Sequence, residues 1–360
     1  MDIGVPKETK DQEFRVGLSP NSVRALVDKG HSLAVEHGAG QGAGFTDEDY
    51  THAGAALVDR AQAWDQEMVV KVKEPLPDEY GYLQADQLLF TYLHLAASRS
   101  LTEALMASGV TAIAYETVER GRSLPLLAPM SIIAGRLAVQ FGARFLERPQ
   151  GGRGVLLGGV PGVRPGRVLV LGGGVVGTEA AKIAVGLGAS VQIVDINVDQ
   201  LNALEALFGS RVELLYSSAP QIEAIVPEAD LIIGAVLVPG RRPPQLVSKT
   251  LVERMRPGSV IVDVAVDQGG CIETVRPTSH SKPTYIEAGV LHYGVANMPG
   301  AVPWTATQAL NNSTFPYVLS LANQGPDVMK SDVGFAMGVN VRKGRLIHPV
   351  VQEVFPDLAD

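Results

Sequence analysis

The stretch from Arg167 to Asp195, RVLVLGGGVVGTEAAKIAVGLGASVQIVD, constrains this chain more than any other. An apolar run ends at Leu171, Gly172, Gly174 and Gly177 form GxGxxG, a helical pattern follows, and a second apolar run closes at Asp195. In such a strand, turn, helix and strand, the first glycine makes the tight turn and the second lets backbone N–H groups approach a pyrophosphate. The third lets helix and strand pack closely, and the helix N-terminus faces the phosphates with its partial positive charge. Asp195 stands about 20 residues past the first glycine, where an acid accepts hydrogen bonds from ribose hydroxyls. It would repel a 2′-phosphate, and Ile196 and Asn197 bring no cation to hold one, so the expected cofactor is NAD rather than NADP. The competing explanation is a fold that kept the turn and lost the nucleotide, with Asp195 merely capping a loop.

The rest of the chain reads by its distance from that turn. Ahead of it, strands are expected at Asp2 to Val5, Ser32 to Glu36, Met68 to Lys73, Leu88 to His94 and Thr111 to Glu116. Helices are expected over Ser19 to Lys29, capped by Ser19 with Pro20 in first position, near Asp47 to Ala53, and over Ser100 to Ser108. Strands separated by helices imply a parallel sheet. From Arg167 onward six strand candidates follow: Val168 to Leu171, Val191 to Asp195, Val212 to Tyr216, Leu231 to Val236, Val260 to Ala265 and Leu291 to Val295. That number matches a full dinucleotide-binding sheet. Two long helical patterns bracket it. One runs from Ser131 to Glu147 with the serine as N-cap, and the other starts near Thr305 and holds Pro316, where a kink or break is expected. A hairpin, VNVRKGRLIH, and a short helix ending near Phe355 complete the tail.

The expected fold class is therefore α/β, with two doubly wound parallel sheets: a Rossmann NAD domain inserted into a discontinuous Rossmann-like substrate domain. The expected boundaries are 1–128 and 307–360 for the catalytic, substrate-binding domain and 129–306 for the NAD domain with its connecting helix. The substrate cleft is expected between the two sheets.

Composition narrows the partners. The formal charge of −8 comes from interspersed acids, with no basic block to neutralise the phosphates of a nucleic acid. No run of about 18 apolar residues offers a membrane span, and the start, MDIGVPKETK, lacks the basic flank and apolar core of a signal peptide. A cytoplasmic protein that handles small molecules is expected. Cys271 is the only cysteine, which excludes an internal disulfide and a multi-cysteine metal site. No metal is expected.

In doubly wound sheets, ligands sit beyond the carboxyl ends of the strands. Arg15 lies in the loop after the first strand, Lys73 ends VVKVK, His94 ends LLFTYLH, and Asp267 follows VIVDVAV. Each has a plainer explanation. Arg15 could be a solvated loop residue, Lys71 competes with Lys73, His94 could be a hydrogen-bonded core histidine, and Asp267 could only cap its turn. Asp263, in mid-strand, reads as a buried structural carboxylate, and Cys271 as a small buried side chain. Their shared placement favours catalysis.

With these residues in hand, the chain resembles the NAD-dependent, bacterial type of alanine dehydrogenase, within the family that also holds the NAD-binding component of transhydrogenase. The resemblance runs through IGVPKE, EFRVGLSP, VVKVKEPL, LLFTYLHLA, LPLLAPMSIIAGRLAVQFGA, VLGGGVVG, VDVAVDQGG and HYGVANMPGAVPWTATQAL. It implies reversible oxidative deamination of L-alanine to pyruvate and ammonium with NAD, in a homohexamer. It implies substrate binding by Arg15 and Lys73 and catalysis by His94 and Asp267. It also implies cofactor contacts from Ser131, Val176 in the glycine turn, Asp195, Ser217, Leu237, Asn297 and Met298. Leu127 and Met130 are candidates to limit the substrate side chain. Two alternatives stay open at this point. One is a hydride-transfer component related to proton-translocating transhydrogenase, which the full set Arg15, Lys73, His94 and Asp267 disfavours; the other is a non-catalytic NAD-binding regulator.

Overall fold

A computed structural model describes residues 1–121, 123–236 and 243–359. The chain divides into two compact units, Met1–Met130 with Val302–Asp360 and Ser131–Ala301. Strands of the first unit are β1 (Asp2–Val5), β2 (Ser32–Glu36), β3 (Ala56–Val58), β4 (Met68–Val70), β5 (Leu88–Thr91) and β6 (Thr111–Ala114). The second unit holds β7 (Arg167–Leu171), β8 (Ser190–Asp195), β9 (Glu213–Tyr216), β10 (Leu231–Gly234), β11 (Val260–Asp263), β12 (Thr284–Glu287) and β13 (Val290–Tyr293). The chain then returns to the first unit with β14 (Val339–Arg342) and β15 (Arg345–Leu346).

Among the described residues, the first sheet has the order β15-β14-β6-β5-β4-β1-β2-β3 and the second β12-β13-β11-β10-β7-β8-β9. Both are α/β sheets wound in both directions from their first strand. In the first, β1 pairs in parallel with β2 on one side and β4 on the other; in the second, β7 does the same with β8 and β10. The antiparallel pairs are β14 with β6, β14 with β15, and β12 with β13. Parallel strands covered on both faces must be apolar throughout, and β4, β5, β6, β10, β11 and β13 are buried along their whole lengths. Trp64, Leu89, Leu101, Leu105 and Val341 share one core; Leu169, Val194, Ile232, Ile261 and Cys271 share the other. Burying each large aliphatic side chain contributes about 1.5–3 kcal/mol.

Several expectations shift. Ser131 is not an N-cap: the helix runs Ala128–Phe145 and Ser131 lies inside its first turn. Pro129 explains the earlier start, since a first turn has no use for the missing N–H. Pro316 does not break its helix, which is continuous over Pro303–Gln324. One proline removes one hydrogen bond, whereas Thr314, Tyr317, Val318 and Leu321 keep both sides of it buried. The strands expected to reach Lys73 and His94 stop at Val70 and Thr91, so both side chains stand on the chain just beyond a strand. β3 and β12, short edge strands, carried no signal strong enough to be expected.

Candidate active site

The topology selects the carboxyl ends of β1 and β4 as the switch point of the first sheet. Arg15 follows β1 and Lys73 follows β4. Gly17 lets the two segments meet: a Cβ there would lie 2.3 Å from the Val70 carbonyl oxygen. The loop is anchored from the helix Pro303–Gln324, where Thr307 Oγ1 accepts from the Val16 N–H at 3.3 Å and Asn311 Oδ1 from the Ser19 N–H at 2.7 Å.

Arg15 is buried and forked onto Glu13, with Nε 2.7 Å from Oε1 and Nη2 2.5 Å from Oε2. Its Nη1 lies 3.1 Å from the Met130 sulfur. Burial alone would lower the Arg15 pKa, but the Glu13 carboxylate outweighs it and holds the guanidinium charged. Leu127 is half-buried, and its carbonyl oxygen accepts from the Met130 N–H at 3.1 Å.

The two competing lysines separate clearly. Lys71 is fully buried, with Nζ 3.0 Å from Glu79 Oε1, 3.3 Å from Glu8 Oε2 and 5.4 Å above the Trp64 ring. It is a satisfied structural cation: burial opposes its charge, and Glu8 and Glu79 overcome that opposition. Lys73 is 8% exposed, yet no hydrogen bond or ion pair to its Nζ occurs among the described residues. Burial depresses its pKa, and Arg15 and Lys10 depress it further against the pull of Glu74. Glu74 is itself held by Lys10. A desolvated ammonium beside a guanidinium is unfavourable unless an anion joins them.

His94 follows β5 with its backbone in the left-handed region, φ 49° and ψ 41°. For a residue with a side chain this conformation costs about 1–3 kcal/mol. The ring stacks on Tyr92, centroids 5.8 Å apart and planes within 5°, and Nδ1 lies 3.8 Å from Glu116 Oε1. His94 also lines a cavity of about 280 Å³ with Glu74, Leu76, Tyr80, Ser98 and Leu101.

In the second unit, Gly172 turns the chain at φ 96° and a Cβ on Gly177 would fall 1.9 Å from the Gly172 carbonyl oxygen, so the turn excludes any side chain there. The helix Val175–Gly186 begins at an exposed Gly174 with no side-chain cap, and Val176 is half-buried in its first turn. Its first N–H groups are therefore available to an anion, which fits a pyrophosphate. Asp195 Oδ2 accepts from the Gly173 N–H at 2.6 Å and Oδ1 from the Asn197 N–H at 2.8 Å. Asp195 thus braces the turn, and an ionised carboxylate with about four lone-pair positions retains acceptor capacity after two such bonds. Ser217, just past β9, donates its N–H to the Asp195 carbonyl oxygen at 3.0 Å. Exposed Ile196 and Tyr216 flank this edge.

Asp267 is exposed on the turn Val266–Gln268 after β11. Asp263, the last residue of β11 rather than a mid-strand one, is fully buried and accepts from the N–H groups of Ala265 and Cys271, both at 2.9 Å, as a structural carboxylate would. Cys271 is buried. Met298 is buried at the start of the turn Met298–Ala301, and the Asn297 carbonyl oxygen accepts from His280 Nε2 at 2.8 Å. Leu237 lies outside the described residues. Among the described residues, no group of three or more His, Cys, Asp and Glu could hold a metal ion, and no helix is long and apolar enough to cross a membrane.

Two family models match the chain in succession. The model of the alanine dehydrogenase/PNT N-terminal domain matches residues 4–134, and that of the C-terminal domain matches residues 138–349. The chain belongs to the alanine dehydrogenase/PNT family. An alanine dehydrogenase of Bacillus subtilis (strain 168) is 55% identical over 354 residues, covering 98% of this chain and 94% of that one. A solved L-alanine dehydrogenase matches all of both chains with 72% identity and a TM-score of 0.97. A transhydrogenase from Sinorhizobium meliloti covers 97% of this chain and 99% of its own at 25% identity, with a TM-score of 0.82. Within the alanine dehydrogenase/PNT family, the transhydrogenase side is the distant one.

Sequence reasoning overlooked the glutamates that hold the first unit's cluster. Glu13 forks Arg15; Glu8 accepts the Val72 and Lys73 N–H groups at 2.6 and 3.2 Å; Glu116 accepts the His94 N–H at 2.6 Å. Only Glu116 left a signal that could have found it, through strand register.

Proposed function

We propose that this protein is an L-alanine dehydrogenase, interconverting L-alanine, NAD and water with pyruvate, ammonium, NADH and a proton. The carrying observation is the buried Lys73 ammonium beside the Arg15 guanidinium, with no hydrogen bond or ion pair to its Nζ among the described residues. That pair suits a small oxo acid, which brings a carboxylate and a polarisable carbonyl. Arg15 binds the carboxylate through its planar guanidinium, already oriented by Glu13. Lys73 Nζ donates to the oxo oxygen and polarises the carbonyl as the imine forms. His94 gives and takes a proton at its imidazole. Asp267 orients the water or ammonia that adds and stabilises the cationic nitrogen. Met130, against Arg15, and Leu127 limit the substrate side chain to a small group.

In this reading the first unit binds substrate and the second binds NAD. The phosphates meet the helix N-terminus behind Gly172, Gly174 and Gly177, and Asp195 receives the ribose hydroxyls and rejects a 2′-phosphate. Ser131, Val176, Ser217, Leu237, Asn297 and Met298 supply the remaining contacts. When bound, the nicotinamide supplies the two-electron redox chemistry. The family resemblance supports a homohexamer, which light scattering at six chain masses would test, and a cytoplasmic address, which cell fractionation would test.

The deciding assay follows loss of NADH absorbance with pyruvate plus ammonium, and with pyruvate alone. Oxidation is expected only with both. No oxidation under either condition sinks the proposal, and hydride exchange with a second nicotinamide nucleotide instead would place the protein with transhydrogenase.

A further inference from the structure

β5 and β6 pair in parallel from Leu88 with Thr111 to Thr91 with Ala114. Continued, that register would set Leu93 against Glu116, but the ladder has ended there. The N–H groups of Leu93 and His94 would then be left without a strand partner, which buried backbone does not tolerate. The Glu116 carboxylate takes their place: Oε1 accepts from His94 at 2.6 Å and from Leu93 at 3.1 Å, with Oε2 3.3 Å from the Leu93 N–H. Its side chain is 13% exposed. His94 turns into the left-handed region at the residue so held. On its other side the ring is stacked on Tyr92, whose hydroxyl donates to the Leu126 carbonyl oxygen at 2.6 Å. The 3.8 Å separation between Glu116 Oε1 and His94 Nδ1 is longer than a hydrogen bond. Glu116 therefore grips the backbone beneath the imidazole rather than the ring.

We infer that Glu116 is the positioning residue for His94, fixing the strained backbone from which the imidazole reaches the substrate. The inference rests on the role proposed for His94. A misplacement of about 1 Å at a reacting group costs on the order of 10²-fold in rate. Glu116→Ala should reduce kcat by about that factor and leave the pyruvate KM and the NADH Kd largely unchanged. Glu116→Gln keeps an amide oxygen that accepts both N–H groups, so it should recover most of the lost turnover.

The test is a double-mutant cycle on the full-length protein with Glu116→Ala, His94→Ala and both together. If Glu116 acts through His94, the double variant turns over no more slowly than His94→Ala alone. Multiplicative losses, a Glu116→Ala kcat equal to wild type, or a Glu116→Gln as impaired as Glu116→Ala would each overturn the inference. Should Glu116→Ala not fold, Glu116→Asp, one methylene too short to keep both bonds, takes its place in the cycle. A His94→Ala variant with normal turnover would instead defeat the proposed role of His94, so the two failures are distinguishable.

Discussion

The two sheets share a winding pattern but treat the same topological position in opposite ways. After β7 the chain needs only residues 172–174 to enter its helix; after β1 it takes residues 6–19 to reach Pro20–Val27. The short turn offers backbone: glycines bring N–H groups to the surface, and Asp195 braces the Gly173 peptide. The long loop offers side chains, delivering Glu8, Glu13 and Arg15 to the ends of β1 and β4. A phosphate is served by uncharged N–H groups at a helix N-terminus. A small carboxylate substrate is better served by buried cations, which must be held in place by counter-charges. Local backbone geometry thus defines one region and long-range charge pairing the other.

The largest expected effect tests the charged region. Lys73→Met should lower kcat/KM for pyruvate by about 10²-fold, the loss of one charge-assisted hydrogen bond, and leave NADH affinity intact. The same change should raise Tm, because it removes a buried ammonium that makes no ion pair among the described residues. The sign with pH follows. Burial lowers the Lys73 pKa from 10.5, so the unfolded chain holds this proton more tightly than the folded one. The penalty on the wild type is complete below the lowered value and fades as pH rises toward 10.5. The Tm gap between Lys73→Met and wild type should therefore narrow in alkali. A gap of opposite sign, or one independent of pH, would break the contrast between the two regions.

Gly177→Ala tests the backbone region. The new methyl would meet the Gly172 carbonyl oxygen at 1.9 Å, a backbone atom that cannot swing aside, with a Val170 methyl at 3.0 Å. Overpacking of this kind costs about 1–3 kcal/mol, and NADH affinity measured by titration should fall by at least about tenfold, a loss of 1.4 kcal/mol. Unchanged affinity would mean that the turn can relax, and that its glycines are less constrained than the side-chain cluster.

Asp195→Asn is milder, because an amide oxygen can keep one of the two backbone bonds. NADH affinity should fall by about tenfold, with the loss smaller for NADPH, so that the ratio of the two Kd values moves toward unity. A ratio that stays fixed would leave Asp195 as a brace for Gly173 and Asn197 alone.

What the sequence shows of each region follows from this contrast. The glycine turn, the strands around it and the doubly wound class are legible because GxGxxG, apolar runs and caps such as Ser19 are local signals. The placement of Arg15, Lys73 and His94 at the carboxyl side of strands was also legible, although the strands expected to hold Lys73 and His94 end at Val70 and Thr91. Their chemistry was not. Lys71 and Lys73 lie two positions apart in one run, VVKVKE, and only Glu8 and Glu79 arriving on Lys71 make it structural. The Ser131 cap failed for a local reason, since with Pro129 in its first turn the helix starts at Ala128, four residues ahead of the Ile132 start that a Ser131 cap would give.

The smallest expected effect concerns how each unit buries a titratable group. Lys73 is left charged for a ligand, whereas His292, fully buried in β13, is satisfied as a neutral ring. Its Nδ1 lies 3.0 Å from the Val290 carbonyl oxygen, which can only accept, so Nδ1 carries the proton and Nε2 accepts from Thr274 Oγ1 at 2.7 Å. Burial lowers its pKa from 6.5, and Arg276 adds to that against the Val290 carbonyl and Glu287. The unfolded chain therefore takes up this proton first. Stability from the neutral ring is complete above pH 6.5 and is lost as pH falls through the lowered value. His292→Gln has no such proton to gain, so the advantage of wild type over it should shrink between pH 7 and pH 5, by at most about 1.4 kcal/mol for each unit of lowering. Denaturant melts of the two proteins across that range measure the difference. If wild type gained on the variant in acid, the buried ring would be a held cation, and the second unit would handle charge as the first one does.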